Sequence, residues 1–137
     1  MPNTFSQLGN GQKSVDVSTN KTLTAADAGI VQNVTADAIT ITLPSTALGL
    51  HYTIRNSGAG KTSAAVGTGD DGSILVNVAP AAADGITGNG FTAATNKSAL
   101  NTKVTARVGD YISIMGTGTA GVTGWVITAV RGVWVRS

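Results

Sequence analysis

Residues that could support catalysis or ion binding are scarce in this chain. It contains one histidine, His51, no cysteine and no glutamate, so all seven acidic residues are aspartates. A single histidine cannot build a multi-histidine metal site, and without cysteine neither a disulfide nor a thiolate site can form. A Ser-His-Asp triad lacks a GxSxG elbow or any other recognisable nucleophile context. The sequence therefore predicts a protein that is not an enzyme, with no catalytic residue, metal site or cofactor.

Residues 57–63, SGAGKTS, resemble a nucleotide-binding motif only at first sight. A phosphate-binding loop requires a glycine five residues before the glycine that precedes lysine, and Arg55 occupies that position. It also requires a helix directly after Lys-Thr, so that backbone N–H groups face the phosphate. The following sequence, TSAAVGTGDDG, predicts no helix. We interpret the segment as a glycine-rich loop.

The aspartates are poorly placed for chemistry. Asp70 and Asp71 could suggest calcium, but an EF-hand loop needs a distal bidentate glutamate. A glycosidase-like carboxylate pair could involve Asp70, Asp84 or Asp110. However, glycine follows Asp84 and precedes Asp110, which is typical of turns.

Large apolar side chains are the remaining candidates for a functional surface. Trp125 and Trp134 could stack on sugars, but aromatic residues make up only 4% of the chain, which favours packing in the core or at a subunit interface. Together with Phe5, Leu8 and Phe91 they are the predicted interface residues.

The charge content argues against nucleic acid and membrane partners. Charged residues make up 12% of the chain, the formal net charge is +2, and the basic residues are scattered. Nucleic-acid binding requires a basic stripe, usually with aromatic residues for stacking. No apolar run reaches the ~20 residues of a membrane span, and the N-terminus shows no hydrophobic signal region.

Composition and periodicity predict an all-β fold. Gly, Ala, Thr and Ser dominate, and the residues that favour the surfaces of long helices are scarce. TLTAADAG predicts one helical turn, capped by Thr24 and ended by Gly29 in the left-handed region. Period-two alternation predicts strands at residues 14–18, 30–34, 39–43, 51–56, 73–78, 103–108, 111–116, 125–130 and 133–137.

These strands indicate a small β-sandwich, jelly-roll-like, or a closed barrel. In the strand at 103–108, Val104, Ala106 and Val108 are predicted to face the core. The long connection at 79–98 is a candidate for ligand or subunit contact. Residues 1–20 are assigned to an extended N-terminal arm and residues 21–137 to one domain.

The order of segments resembles a known class of proteins. TLTAADAG, ITITLPSTALGLHYTIRNSG, SILVNV, RVGDYISIMG and GWVITAVRGVW follow one another as in small β-rich virion proteins of tailed bacteriophages. The likeness is to capsid decoration (cement) proteins and to modules of head or tail fibres. It extends over about residues 15–135.

The resemblance implies a homotrimer on the outer surface of the capsid, where it would bind the major capsid protein and bridge capsomers. It implies no catalytic residues. The alternative is a receptor- or glycan-binding module of a fibre or spike, in which Trp125, Trp134, Tyr111 or the 79–98 loop would contact the ligand.

The arm assignment leads to a prediction. A variant that lacks residues 1–13 behind a new initiator methionine should keep the far-ultraviolet circular dichroism of a β-protein. Its trimer formation or capsid attachment, measured by light scattering and co-sedimentation, should weaken because arms of this kind become ordered against a neighbouring subunit. Unchanged attachment would identify the segment as a tail.

Overall fold

The computed structural model describes residues 12–58 and 74–137. Within them the protein is an all-β sandwich in which two sheets pack around one apolar core. The predicted fold class is confirmed.

The described residues form eleven strands: β1 Ser14–Val17, β2 Lys21–Thr22, β3 Val31–Val34, β4 Ile39–Thr42, β5 His51–Asn56, β6 Ile74–Ala79, β7 Ile86–Thr87, β8 Ala99–Thr102, β9 Tyr111–Gly116, β10 Trp125–Arg131 and β11 Val135–Arg136. The larger sheet has six strands in the order β1-β3-β5-β9-β10-β7, and the smaller has five in the order β11-β8-β6-β4-β2. A single 3₁₀ turn, Ala25–Asp27, follows the Thr24 cap, and Gly29 has a φ of 78°, as the TAADAG pattern predicts.

The first six strands wind between the two sheets. β1, β3 and β5 are parallel neighbours in the larger sheet, while β2, β4 and β6 are parallel neighbours in the smaller one. Residues 18–20 and 35–38 connect the sheets, which is enough chain to cross the ~10 Å between packed sheets. The later strands β8 and β9 close this parallel half by antiparallel pairing with β6 and β5.

The apolar side chains that alternate along the strands fill the core, as the sequence predicts. Ile39, Ile41 and Leu43 are at most 6% exposed, and Tyr52 and Ile54 are fully buried. Complete burial of one such aliphatic side chain contributes about 1.5–3 kcal/mol. Both sheets contribute to one continuous cluster, so they are stabilised as a single unit.

Two predictions require correction. Residues 103–108 are not a strand: Thr105 and Ala106 donate backbone hydrogen bonds to the Thr102 carbonyl and form a turn, so only Ala106 faces the core. Val104 and Val108, predicted to face inward, are 46% and 58% exposed.

The arm boundary at residue 20 is also too late. Ser14–Val17 forms β1 and pairs with β3, so the sandwich includes these residues. Residues 1–11 of the predicted arm lie outside the described residues, as do residues 59–73, which include most of the predicted glycine-rich loop and Asp70 and Asp71.

An ion pair ties the two sheets together beside β2. The Lys21 ammonium donates to Gln32 Oε1 on β3 (2.8 Å) and lies 3.1 Å from Asp27 Oδ1. Asp27 Oδ2 accepts the Thr24 backbone N–H at 2.9 Å. Burial raises the pKa of the Asp27 carboxyl, but the Thr24 hydrogen bonds and the Lys21 charge outweigh burial and hold this pKa below its ordinary value of 3.8.

This pKa gives the ion pair a defined pH dependence. Because the folded-state pKa of Asp27 is depressed, its contribution is present above the unfolded value and lost as pH falls through the folded pKa. Asp27→Asn should lower the free energy of unfolding by about 0.5–1 kcal/mol at pH 7. The difference from wild type should shrink as pH falls below 3.8.

Urea unfolding at pH 7 and at acidic pH measures this effect. Lys21→Met provides the matched comparison, and the double variant should cost less than the sum of the two single changes. A wild-type advantage that persists undiminished in acid would contradict the assignment.

Candidate interaction surface

The residues that could do chemistry are spread over the sandwich. His51 is exposed at the start of β5. Asp84 and Asp110 are 1% and 4% exposed, and they lie at opposite ends of the β9–β10 hairpin. Asp84 Oδ2 accepts the Thr46 backbone N–H at 2.9 Å, and its Oδ1 accepts that of Gly121 at 3.4 Å. Asp84 therefore joins three loops, and the structure does not bring it near Asp110 as a carboxylate pair.

Asp110 belongs to a buried polar bridge that crosses the sandwich. Asn56 on β5 donates its amide to Asn101 Oδ1 on β8 (2.9 Å), and both residues are fully buried. The Asn101 amide in turn donates to Asp110 Oδ2 at 3.0 Å, and the same oxygen accepts the Arg107 backbone N–H at 2.9 Å. Gly58 donates its backbone N–H to Asn56 Oδ1. We call Asn56, Asn101 and Asp110 the polar bridge.

The polar bridge also positions the turn between β10 and β11. The Asn101 amide makes a second hydrogen bond, at 3.2 Å, to the Val133 carbonyl. A Cβ atom at Gly132 would lie 2.2 Å from the Asp110 carboxyl carbon, so only glycine fits at that position. The indole of Trp134, 4% exposed, donates to the Arg131 carbonyl at 3.1 Å. The turn is therefore fixed by two hydrogen bonds and by the close approach of Gly132 to Asp110.

Three partly exposed aliphatic side chains lie on this fixed turn and its flanking strands. Val130, Val133 and Val135 are 36%, 46% and 42% exposed, and we call them the valine edge. β10 and β11 lie at the same side of the sandwich, one in each sheet. β7 pairs only with Trp125 and Val126, so within residues 12–58 and 74–137 no strand pairs with the outer side of β10 beyond them.

An unpaired strand edge next to exposed valines is suited to binding another protein. The edge offers backbone N–H and C=O groups for strand addition, and the valines offer apolar area. Because the turn is fixed by the polar bridge, little conformational entropy would be lost on binding.

The structure places the predicted interface residues as follows. Trp125 is fully buried and packs against Tyr52, with ring centroids 5.7 Å apart. Trp134 is buried beneath the valine edge, and Phe91 is half-buried against the core. Phe5 and Leu8 lie outside the described residues. Both tryptophans pack within the chain, so neither ring face is available to stack on a ligand.

The valine edge was not predicted from the sequence, although one sequence pattern indicates it. In VWV, residues 133–135, three successive apolar residues cannot all face the core of a strand with period two. With Trp134 turned inward, the two valines must face outward. The 79–98 loop, a predicted contact candidate, contributes β7 and an isolated bridge between Gly85 and Thr95.

In the part of the chain that the structure describes, no three His, Cys, Asp or Glu residues are grouped as metal ligands, and no helix has the length and hydropathy needed to cross a membrane. Protein-family models, curated proteins and solved structures provide no match to this chain.

The polar bridge predicts a large stability effect for one amide. Asn101→Ala removes one hydrogen bond each from the Asn56 amide, Asp110 and the Val133 carbonyl, and a buried polar group left unpaired costs about 1–3 kcal/mol. We expect the free energy of unfolding to fall by about 2–4 kcal/mol in urea titrations.

Asn77→Ala on β6 is the matched control, because the Asn77 amide makes one 3.4 Å contact to Thr40 and its Oδ1 has no partner. It should cost less than ~1 kcal/mol. Equal losses in the two variants would show that the bridge adds no specific stability.

Proposed function

We propose that this chain is a structural virion protein, a head decoration (cement) protein of a tailed bacteriophage. It binds the major capsid protein on the outer surface of the capsid and stabilises the expanded shell by bridging capsomers. The observation that carries the proposal is the valine edge, three partly exposed valines on β10, β11 and the turn between them, a turn that the polar bridge holds in place. The resemblance of the segment order to phage virion proteins adds the biological setting.

The geometry supports a role in protein assembly. Val130, Val133 and Val135 lie on β10, β11 and the turn between them, so they place exposed apolar area at one side of the sandwich. The buried carboxylates Asp84 and Asp110 accept hydrogen bonds from the chain's own backbone and serve to hold loops. The exposed valines, in contrast, are available for contact with another protein.

A homotrimer fits the requirements of a capsid clamp. Self-association covers strand edges that would otherwise promote aggregation, and it adds buried area to a small domain. A trimer also presents each capsid contact three times, so weak single contacts combine, and avidity can exceed the single-site affinity by about 10²–10⁴.

One observation favours the alternative, a receptor- or glycan-binding module of a fibre or spike. β1 to β6 wind in parallel between the two sheets, and a β-helical stem would continue this arrangement beyond β1 and β2. In that case the chain would bind cells or polysaccharide in preference to heads.

Mass measurement and co-sedimentation test the proposal. The purified chain should have the mass of a trimer by light scattering. It should also sediment with expanded heads assembled from the major capsid protein of the same phage, but not with compact precursor shells. Saturated heads should resist heating better than bare heads. Binding to host cells or polysaccharide without binding to heads would overturn the decoration role and support the alternative.

Two matched valine variants test whether the valine edge is a contact surface. Val133→Ser, at 46% exposure on the valine edge, should weaken trimer formation, and hence head binding, by about 3- to 10-fold, because burial of the exposed part of this valine contributes about half of the 1.5–3 kcal/mol of a full burial. Val122→Ser, at 39% exposure in the loop between β9 and β10, should leave both unchanged. If the two substitutions had equal effects on trimer formation and head binding, the valine edge would not be the contact surface.

A further inference from the structure

Among residues 12–58 and 74–137, the larger sheet has two open edges that complement each other. β1 forms one edge, and beyond its pairing with Val126 β10 leaves the other edge uncovered within the described residues. The uncovered part of β10 from Ile127 to Arg131 has five residues, and β1 has four. The two edges therefore offer strands of similar length.

Both edges carry a valine on the core-facing side of the sheet. Val15 lies two residues before the buried Val17, so both face the core, yet Val15 is 39% exposed. Val130 is paired with the buried Ile112 and shares its face, yet it is 36% exposed. The edge strands of the smaller sheet, β2 and β11, have two residues each, which is too short to cover both valines.

The outer face of each edge carries a charge of opposite sign. Asp16 is exposed on β1 and accepts a 3.4 Å hydrogen bond from Asn33. Arg131 is exposed at the end of β10, where it pairs with Tyr111 in the strand ladder. Pairing β1 with β1 or β10 with β10 of another copy would bring like charges together, whereas pairing β1 with β10 brings opposite charges together.

The register satisfies both faces at once. β10 is antiparallel to β9, β9 is antiparallel to β5, and β5, β3 and β1 are parallel, so β10 and β1 run in the same direction. In a parallel pair with Val15 opposite Val130, Ser14 falls opposite Ala129 and Asp16 opposite Arg131, while Val17 lies opposite Gly132, just beyond the end of β10. A rotation axis along the strands keeps this direction from copy to copy.

We infer that β1 of one copy adds to the open edge of β10 of the next copy, in parallel, with Val15 opposite Val130 and Asp16 opposite Arg131, and that these contacts close a ring. This inference rests on the self-association part of the proposed function. The contact is head-to-tail, so it uses two different surfaces of each copy and closes when the rotation per copy divides a full turn. A trimer is the closed ring that the proposed function requires.

Engineered disulfides test the contact in a chain that has no native cysteine. The double variant Val15→Cys with Val130→Cys should, on mild oxidation of the full chain, give covalent dimers and trimers on non-reducing gels that revert on reduction. Within one copy β1 and β10 are separated by three strands, about 19 Å across the sheet, which is beyond the reach of a disulfide. A disulfide must therefore join two copies.

Single variants and a mismatched pair are the controls. Val15→Cys alone and Val130→Cys alone should remain uncrosslinked, as should Val15→Cys combined with Val122→Cys, whose valine is equally exposed but lies in the loop before β10. Dimers from Val130→Cys alone would reveal β10–β10 pairing and overturn the inference. Oligomers longer than the trimer would reveal an open filament and overturn ring closure.

A charge exchange provides a second readout. Asp16→Lys and Arg131→Asp should each shift the mass towards monomer by light scattering, and the double variant should restore the trimer. Circular dichroism checks that each chain is folded, and failure of the double variant to restore the trimer would contradict the pairing. A native trimer without the Val15–Val130 crosslink overturns this inference alone, whereas crosslinked trimers that bind no heads overturn the capsid role alone.

Discussion

The hydrogen bond between Asn56 and Asn101 is the contact on which the arrangement of the sandwich depends. It joins β5 of one sheet to β8 of the other through two fully buried amides. Apolar contacts between sheets permit sliding, because dispersion and burial have little directional preference. A buried amide pair has one satisfied geometry, and leaving its atoms unpaired costs about 1–3 kcal/mol each. The pair therefore sets the offset between the two sheets.

The same amide determines where the exposed surface lies. Asn101 also binds Asp110 and the Val133 carbonyl, so the position of the β10–β11 turn is coupled to the offset between the sheets. Trp134 fills the space beneath this turn and bonds the Arg131 carbonyl. With the core position taken by tryptophan, the neighbouring valines have no space inside the chain. Their exposure follows from the way the core is filled.

The sequence predicts the strands well because alternation is a local signal. Ile39, Ile41 and Leu43 were expected on one face and are buried there, as are Tyr52 and Ile54. It does not predict that β1, β3 and β5 are parallel neighbours, because pairing between distant strands depends on how the corners direct the chain. The alternation that predicts one strand is equally compatible with a meander or a parallel winding.

The wrong prediction at 103–108 shows a strand-like alternation overridden by turn hydrogen bonds and a buried carboxylate. Val104, Ala106 and Val108 alternate as in a strand, but the Arg107 N–H bonds the Asp110 carboxylate, and Thr105 and Ala106 bond the Thr102 carbonyl. Asp110 is held there by Asn101, a contact that no short window of sequence reveals. The candidate surface was missed for the same reason, since exposure of the valines depends on the polar bridge and Trp134.

The parallel winding explains why the two open edges of the larger sheet differ. β1 belongs to the first turn of the winding, and β10 to the antiparallel strands that close it, so no internal symmetry relates one edge to the other. If the two edges carried the same residues, two copies of the chain could pair through like edges as readily as through unlike edges. Here one edge carries Asp16 and the other Arg131, while both carry a partly exposed valine. Apolar burial favours joining any two of these edges, and the charges favour the unlike pair, which is the head-to-tail contact that we infer.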